Sequence, residues 1–202
     1  MGAVAHGADR WNHNIHYHGV VLAAAPRPCR RALDVGCGRG LLTRELAAVS
    51  DQVVGIDPDP ASLARARAAG DARLRFIEGD VMTWPFDPAS FDLVAAVASL
   101  HHLPLIPALT RFRELLAPGG VLAVIGLARR TTLEDNVMAL AAYPANQLLR
   151  RALGEVPVGA PVRDPPDTLP GIRAACAAVL PGARVKLRLL FRYSLIWRKP
   201  AA

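Results

Sequence analysis

The sequence predicts an α/β fold in which helices cover both faces of a mostly parallel β-sheet. Strand-like apolar segments and helical segments alternate from Arg31 to Leu127, which is the order of a parallel sheet with right-handed crossovers. A glycine-rich turn follows the first strand of this series, and two strand-like segments end the chain. The 202 residues are enough for one three-layer core and too few for a second substantial domain.

The turn after the first strand predicts a ligand site. The apolar strand Arg31 to Val35 is followed by Gly36, Gly38 and Gly40, and a helix begins near Leu41. Glycine at such a turn accepts torsions that other residues avoid and lets a ligand approach the main chain. The amides at the start of the following helix favour a carboxylate or a phosphate group.

An acid at the end of the second strand narrows the ligand class. Strand Gln52 to Ile56 is followed by Asp57, whose carboxylate can accept hydrogen bonds from both hydroxyls of a ribose. The turn and this acid together predict a nucleoside-containing cofactor. A dinucleotide fingerprint reads G-x-G-x-x-G, but here the third glycine, Gly40, comes one residue early and Leu41 fills the expected place.

The spacing D-x-G-x-G-x-G, from Asp34 to Gly40, resembles the first motif of class I S-adenosylmethionine-dependent methyltransferases. That cofactor has no pyrophosphate, so the shorter turn is consistent with it. Three further segments resemble the family's later motifs in the same order. They are Glu78 to Val81 after the strand Arg73 to Ile77, the strand Phe91 to Ala98 with the following Ser99 to Leu103, and Leu116 to Gly120 before the strand Val121 to Leu127.

The resemblance implies where S-adenosylmethionine, and its product S-adenosylhomocysteine, contact the chain. In the family an acid takes the adenine amino group and the next amide meets a ring nitrogen, and Asp80 and Val81 hold these positions. The cofactor-contacting residues expected in full are Tyr17, His18, Asp34, Gly36, Cys37, Gly38, Asp57, Pro58, Asp80, Val81 and Ala98.

The family fold is a Rossmann-like three-layer sandwich whose seven-stranded sheet has its last strand antiparallel, beside the fifth. The tail segments Ala183 to Leu189 and Arg192 to Arg198 match its final hairpin. We expect a single domain with an N-terminal lid (1–29), a cofactor-binding half (30–128) and a substrate-side part (129–202). That last part should contain a helix over Leu133 to Leu153, a loop over Val156 to Pro170 and a helix through Ile172 to Leu180.

Histidines supply the candidate acid–base groups. Methyl transfer is an in-line displacement at a sulfonium carbon, which mainly needs alignment and exclusion of water, and a hydroxyl nucleophile also needs a base. His101 and His102 follow the fourth strand, at the edge where open α/β sheets bind ligands. Either is a candidate catalytic base, and the alternative is that one of them packs beneath the cofactor.

The segment from Asp9 to His18 is rich in histidine and aromatic residues. Metal binding by His13, His16 and His18 is one interpretation, although no Cys or acidic ligand joins them. A packed amphipathic helix is another. The resemblance implies a third, which we favour: a lid over the cofactor, with Tyr17 or His18 touching its methionine end.

Composition and charge indicate which classes of partner this chain is expected to bind. The net charge of +7 is carried almost entirely by scattered arginines, with no basic tract or interleaved aromatics, so nucleic acid is not the expected partner. Three cysteines without a C-x-x-C pair indicate neither a disulfide framework nor zinc. No signal peptide or membrane-spanning run is recognised, and we expect a cytoplasmic monomer or homodimer.

The sequence therefore predicts an S-adenosylmethionine-dependent methyltransferase that acts on a small molecule, in bacterial secondary metabolism. Two alternatives remain open at this stage. One is a methyltransferase of RNA or protein, and the other is a non-catalytic protein that keeps the fold for cofactor binding.

Overall fold

The computed structural model describes residues 12–68, 71–129, 164–189 and 192–201. Seven strands in this part of the chain form one sheet in the order β3-β2-β1-β4-β5-β7-β6. They are β1 Arg31–Val35, β2 Gln52–Asp57, β3 Leu74–Glu78, β4 Phe91–Val97, β5 Leu116–Gly126, β6 Arg184–Arg188 and β7 Arg192–Arg198. Strands β1 to β5 pair in parallel, and β7 is antiparallel to both β5 and β6. The predicted fold class is confirmed.

Helices cover both faces of the sheet because strand side chains alternate between two apolar clusters. On β1, Leu33 and Val35 join one cluster and Ala32 joins the other. The described helices are α1 His18–Ala24, α2 Leu41–Leu46, α3 Pro60–Arg67, α4 Leu105–Leu115 and α5 Leu169–Val179. Helices α4 and α5 pack on the first cluster, and α1 and α2 pack on the second. Among these described helices, none has the length and apolar character needed to cross a membrane.

Strand β5 begins earlier than its sequence predicts. The sequence predicts a strand that starts at Val121, directly after Pro118, Gly119 and Gly120, but Leu116 already pairs with Phe91 of β4. The next paired position joins Val121 to Leu93, so the Pro-Gly-Gly residues form an irregularity within the strand rather than a turn before it. Pairing with β4 on both sides of the insertion is the reason, because a bulge interrupts a ladder without ending it.

Helix α5 also begins earlier than predicted. The hydroxyl of Thr168 accepts a hydrogen bond from the Gly171 amide at 3.2 Å, and Pro170 fits the first turn, where its missing N–H is not needed. The predicted loop to Pro170 is therefore too long at its end, and the helix starts at Leu169 rather than near Ile172. The helix predicted over Leu133 to Leu153 lies outside the described residues.

Candidate cofactor site

The glycine-rich turn contacts the protein on two sides and leaves open space at its centre. A Cβ added at Gly36 would lie 2.5 Å from Cβ of Ser99, and one at Gly40 would lie 2.7 Å from Cε1 of Phe76. A Cβ added at Gly38 would meet nothing within 4 Å. Two of the glycines are therefore needed for packing, whereas Gly38 faces space that a ligand could fill.

Asp57 ends β2 beside this turn, and its carboxylate is held by two backbone amides. Gly38 donates to Oδ2 at 2.8 Å, and Asp59 donates to Oδ1 at 2.9 Å. The side chain is half-buried, and each oxygen keeps acceptor capacity beyond these bonds. This arrangement suits an acceptor of two ribose hydroxyls. Pro58, between the two acids, is exposed.

Asp34 lies beneath the turn and is 2% exposed. The hydroxyl of Thr43 donates to its Oδ2 at 2.6 Å. Burial raises the pKa of Asp34 to about 6, although the Thr43 hydrogen bond and nearby His18 act in the opposite direction. Burial also raises the pKa of the neighbouring Cys37 thiol, so this side chain stays neutral inside the turn.

The N-terminal segment lies across the second apolar cluster, where its two predicted contact residues have different partners. Nδ1 of His18 lies 3.1 Å from Oε2 of Glu45 on α2. His18 is also near enough to Asp34 to act on the pKa of that carboxyl. The hydroxyl of Tyr17 donates to the carbonyl of Leu189 at 2.7 Å, at the end of β6. Contact of either residue with the cofactor stays a prediction.

Asp80 and Val81 follow β3 at the same edge of the sheet. Oδ1 of Asp80 accepts a hydrogen bond from the Met82 amide at 2.9 Å, and its carbonyl accepts one from the Trp84 amide at 2.8 Å. Asp80 is exposed and Val81 is 4% exposed. The carboxylate is therefore accessible at the end of a strand next to the one that carries Asp57.

The residues that follow β4 lie at the same carboxyl edge of the sheet as the glycine-rich turn. Ala98 has a positive φ of 54°, a backbone conformation that residues other than glycine rarely adopt. The hydroxyl of Ser99 donates to the carbonyl of Val35 at 2.6 Å and so joins this loop to the glycine-rich turn. His101 is buried and His102 is exposed, with ring centroids 4.0 Å apart, so the two candidate bases have different surroundings.

The parallel strands thus bring the predicted residues of the turn, of β2, of β3 and of β4 to one sheet edge. The chain is also similar in sequence to known proteins. Residues 32–120 match the family described as a methyltransferase domain. An uncharacterized methyltransferase of Mycobacterium tuberculosis (strain H37Rv) is 36% identical over 193 residues, which cover 94% of this chain and 98% of the relative. The trans-aconitate 2-methyltransferase of Methylobacterium radiotolerans is 39% identical over 152 residues, covering 72% of this chain and 52% of the relative.

The chain belongs to the class I S-adenosylmethionine-dependent methyltransferases.

Solved structures share the fold of this chain. The YcgJ protein of Bacillus subtilis superposes with a TM-score of 0.66 at 17% identity, covering 93% of this methyltransferase and 100% of that chain. The [4+2]-cyclase SpnF superposes equally well, with a TM-score of 0.66 at 17% identity, covering 93% and 82% of the two chains. Because a cyclase shares the fold, the fold alone does not decide the reaction.

Several residues that support the site of this methyltransferase were not singled out from the sequence. Thr43 and Ser99 hold Asp34 and the glycine-rich turn, and Glu45 is the partner of His18. Thr43 stands three residues after Gly40, so a polar residue in the first turn of α2 was the available signal. Arg111 contacts the segment after β3 from helix α4, and no local pattern marks it.

Proposed function

We propose that this methyltransferase binds S-adenosylmethionine along the carboxyl edge of its sheet and transfers the methyl group to a small-molecule acceptor, in bacterial secondary metabolism. The observation that carries the proposal is the Asp57 carboxylate. It is oriented by the amides of Gly38 and Asp59, beside the open space at Gly38.

The residues along the edge fit the groups of this cofactor. Asp57 would accept the ribose hydroxyls, Asp80 would accept from the adenine amino group, and the Val81 amide would face the ring. Asp34 and the Gly38 backbone would lie beneath the remainder. When bound, S-adenosylmethionine supplies an electrophilic methyl group on a sulfonium centre.

The protein's remaining tasks are to align an acceptor and to take up its proton where the nucleophile requires it. The buried His101 follows Ser99, which contacts Gly36 of the cofactor turn. A histidine there can accept a proton from a hydroxyl while shielded from bulk water. The exposed His102 is less suited to this role, and we propose His101 as the base.

A small acceptor is supported by two features. One relative is named for methylating trans-aconitate, and others are named for ubiquinone biosynthesis, so similar chains act on small molecules. The arginines that give the net charge of +7 are scattered along the sequence rather than gathered in one tract. This argues against a surface that binds the phosphate backbone of a nucleic acid.

Calorimetric titration with S-adenosylhomocysteine tests the cofactor half of the proposal. Asp57→Ala should weaken binding at least about tenfold, because hydrogen bonds to a charged group contribute about 1.5–3 kcal/mol each. Asp59→Ala is the matched control, since that carboxylate caps α3 through Ala61 and Ser62. The control should bind within about twofold of the original protein, and equal affinities in all three proteins would contradict the Asp57 assignment.

A labelled-methyl screen tests the acceptor half. The enzyme is incubated with methyl-labelled S-adenosylmethionine and, separately, with pooled small acids, phenols and amines, with total RNA, and with cell protein. Label transferred to a small-molecule pool supports the proposal. Label transferred to RNA or protein alone, or cofactor binding without transfer to any pool, would refute it.

A further inference from the structure

The segment Asp80–Trp84, which we call the adenine turn, is a single helical turn. The carbonyl of Asp80 accepts the amides of Thr83 at 3.1 Å and Trp84 at 2.8 Å, and its side chain accepts the Met82 amide at 2.9 Å. One turn fixes several torsions for very few hydrogen bonds and is not stable by itself. Its geometry therefore depends on contacts from outside.

The far end of the adenine turn is held by Arg111 of α4. Nε of Arg111 donates to the carbonyl of Val81 at 3.3 Å, and its Nη2 donates to the carbonyl of Trp84 at 2.7 Å. The last carbonyls of a helical turn have no partner within the turn and need one outside it. The Trp84 carbonyl also accepts the Phe86 amide at 2.8 Å, so Arg111 is one of its two partners. A planar guanidinium can satisfy two such carbonyls at once.

The guanidinium is itself fixed in place. Its side chain is only 18% exposed, and Nη1 lies 3.8 Å from Oε2 of Glu114, one helical turn further along α4. On the opposite side, the Trp84 ring packs on Gly79, where an added Cβ would lie 2.6 Å from Cε3. The adenine turn is thus confined between β3 and Arg111.

We propose that Arg111 is a positioning residue that orients the adenine turn for recognition of the base. It holds the Val81 carbonyl, and this fixes the plane of the adjoining peptide and the place of the Asp80 carboxylate. The inference rests on the proposed function, because it concerns the same cofactor site. Arg111 would thus affect base discrimination through the backbone of the adenine turn, which it hydrogen-bonds.

The test compares two ligands that differ only at the base, S-adenosylhomocysteine and S-inosylhomocysteine, by calorimetric titration. Arg111→Met keeps an unbranched side chain but removes all donors. It should weaken S-adenosylhomocysteine about tenfold and S-inosylhomocysteine much less, so that the preference for adenine falls. Arg111→Lys, which keeps the charge but can reach fewer carbonyls, should lose part of that preference. Hydrogen exchange at Met82 to Trp84 should be faster in both variants before ligand is added.

Arg113→Met is the matched control on the same helix. Arg113 donates to the carbonyl of Val179 on α5 at 3.1 Å, so this variant also loses a guanidinium–carbonyl bond but leaves the adenine turn intact. It should keep the original affinity for both ligands. An unchanged adenine preference in Arg111→Met, or an equal loss for both ligands, overturns the inference. Where the Met variant does not fold, an unchanged preference in Arg111→Lys overturns it. If the original protein binds neither ligand, the proposed function fails, and the inference fails with it.

Discussion

Replacing the buried Asp34 with Asn should stabilise the protein at neutral pH and have little effect in acid. Burial raises the pKa of Asp34 from 3.8 to about 6 in the folded state. The folded state therefore holds a proton that the unfolded chain releases between these two values. Because the folded state binds more protons in this window, the free energy of unfolding falls as the pH rises through it. Asn cannot titrate, and its side-chain oxygen can still accept from Thr43.

The size of the effect follows from the shift in pKa. A shift of roughly two units corresponds to about 3 kcal/mol between fully protonated and fully ionised Asp34. Between about pH 4.5 and about pH 7.5 the linkage relation gives about 2 kcal/mol of this difference. For a chain of this length, about 2 kcal/mol corresponds to roughly 4–8 °C in Tm.

Thermal unfolding followed by circular dichroism at the two pH values measures this difference directly. Asp59→Asn is the control, because its exposed carboxylate has a pKa lowered by hydrogen bonding to Ser62 and Ala61. That acid stabilises the folded state above its unfolded pKa, and the stabilisation disappears as the pH falls through the folded pKa. Both of these pH values lie above the unfolded pKa of an aspartate, so the Asp59 stabilisation is present at both. Asp59→Asn should therefore lower the Tm by a similar amount at the two pH values, in contrast to Asp34→Asn. A Tm difference between Asp34→Asn and the original protein that does not change with pH would show that the buried charge is not destabilising.

Two other predictions concern the histidine pair and the N-terminal segment. His101→Ala should lower turnover by about 10²–10⁴-fold and leave the affinity for S-adenosylhomocysteine unchanged, whereas replacing the exposed His102 with Ala should have a much smaller effect. Single-turnover kinetics measures the rate of methyl transfer, and calorimetry measures the affinity. Equal, mild losses of turnover in both variants would argue that the histidines only pack. Tyr17→Phe removes the hydrogen bond to the Leu189 carbonyl and should lower the free energy of unfolding by about 0.5–1.5 kcal/mol. Hydrogen exchange across Asn12 to His18 should slow when S-adenosylhomocysteine is added to the original protein, and exchange that ignores the ligand would contradict the lid hypothesis.

The strands, and the sheet edge at which the candidate site residues meet, could be predicted because their signals are local. β1 has the bounds that the sequence indicates, since an apolar run ends at a glycine. Asp57 could be placed at the site because carboxyl ends of neighbouring parallel strands share one edge. The position of β7 beside β5 followed from the family resemblance.

The features that could not be predicted depend on contacts between distant parts of the chain. The hydroxyl of Tyr17 meets a carbonyl 172 residues away, and Arg111 reaches back 30 residues to Val81. β5 begins at Leu116 only because β4 pairs with it on both sides of the Pro-Gly-Gly irregularity. No periodicity or motif within a short window encodes such pairings.

The glycine-rich turn separates the requirements of folding from those of ligand binding, position by position. Any side chain at Gly36 or Gly40 would collide with Ser99 or Phe76, whether or not a ligand is present. A side chain at Gly38 would enter only open space, although its positive φ would remain strained. A relative without a cofactor would therefore still have to keep Gly36 and Gly40, because packing alone requires them. Under the proposed function, Gly38 and Asp57 are the positions whose requirements would come from the ligand as well as from the fold.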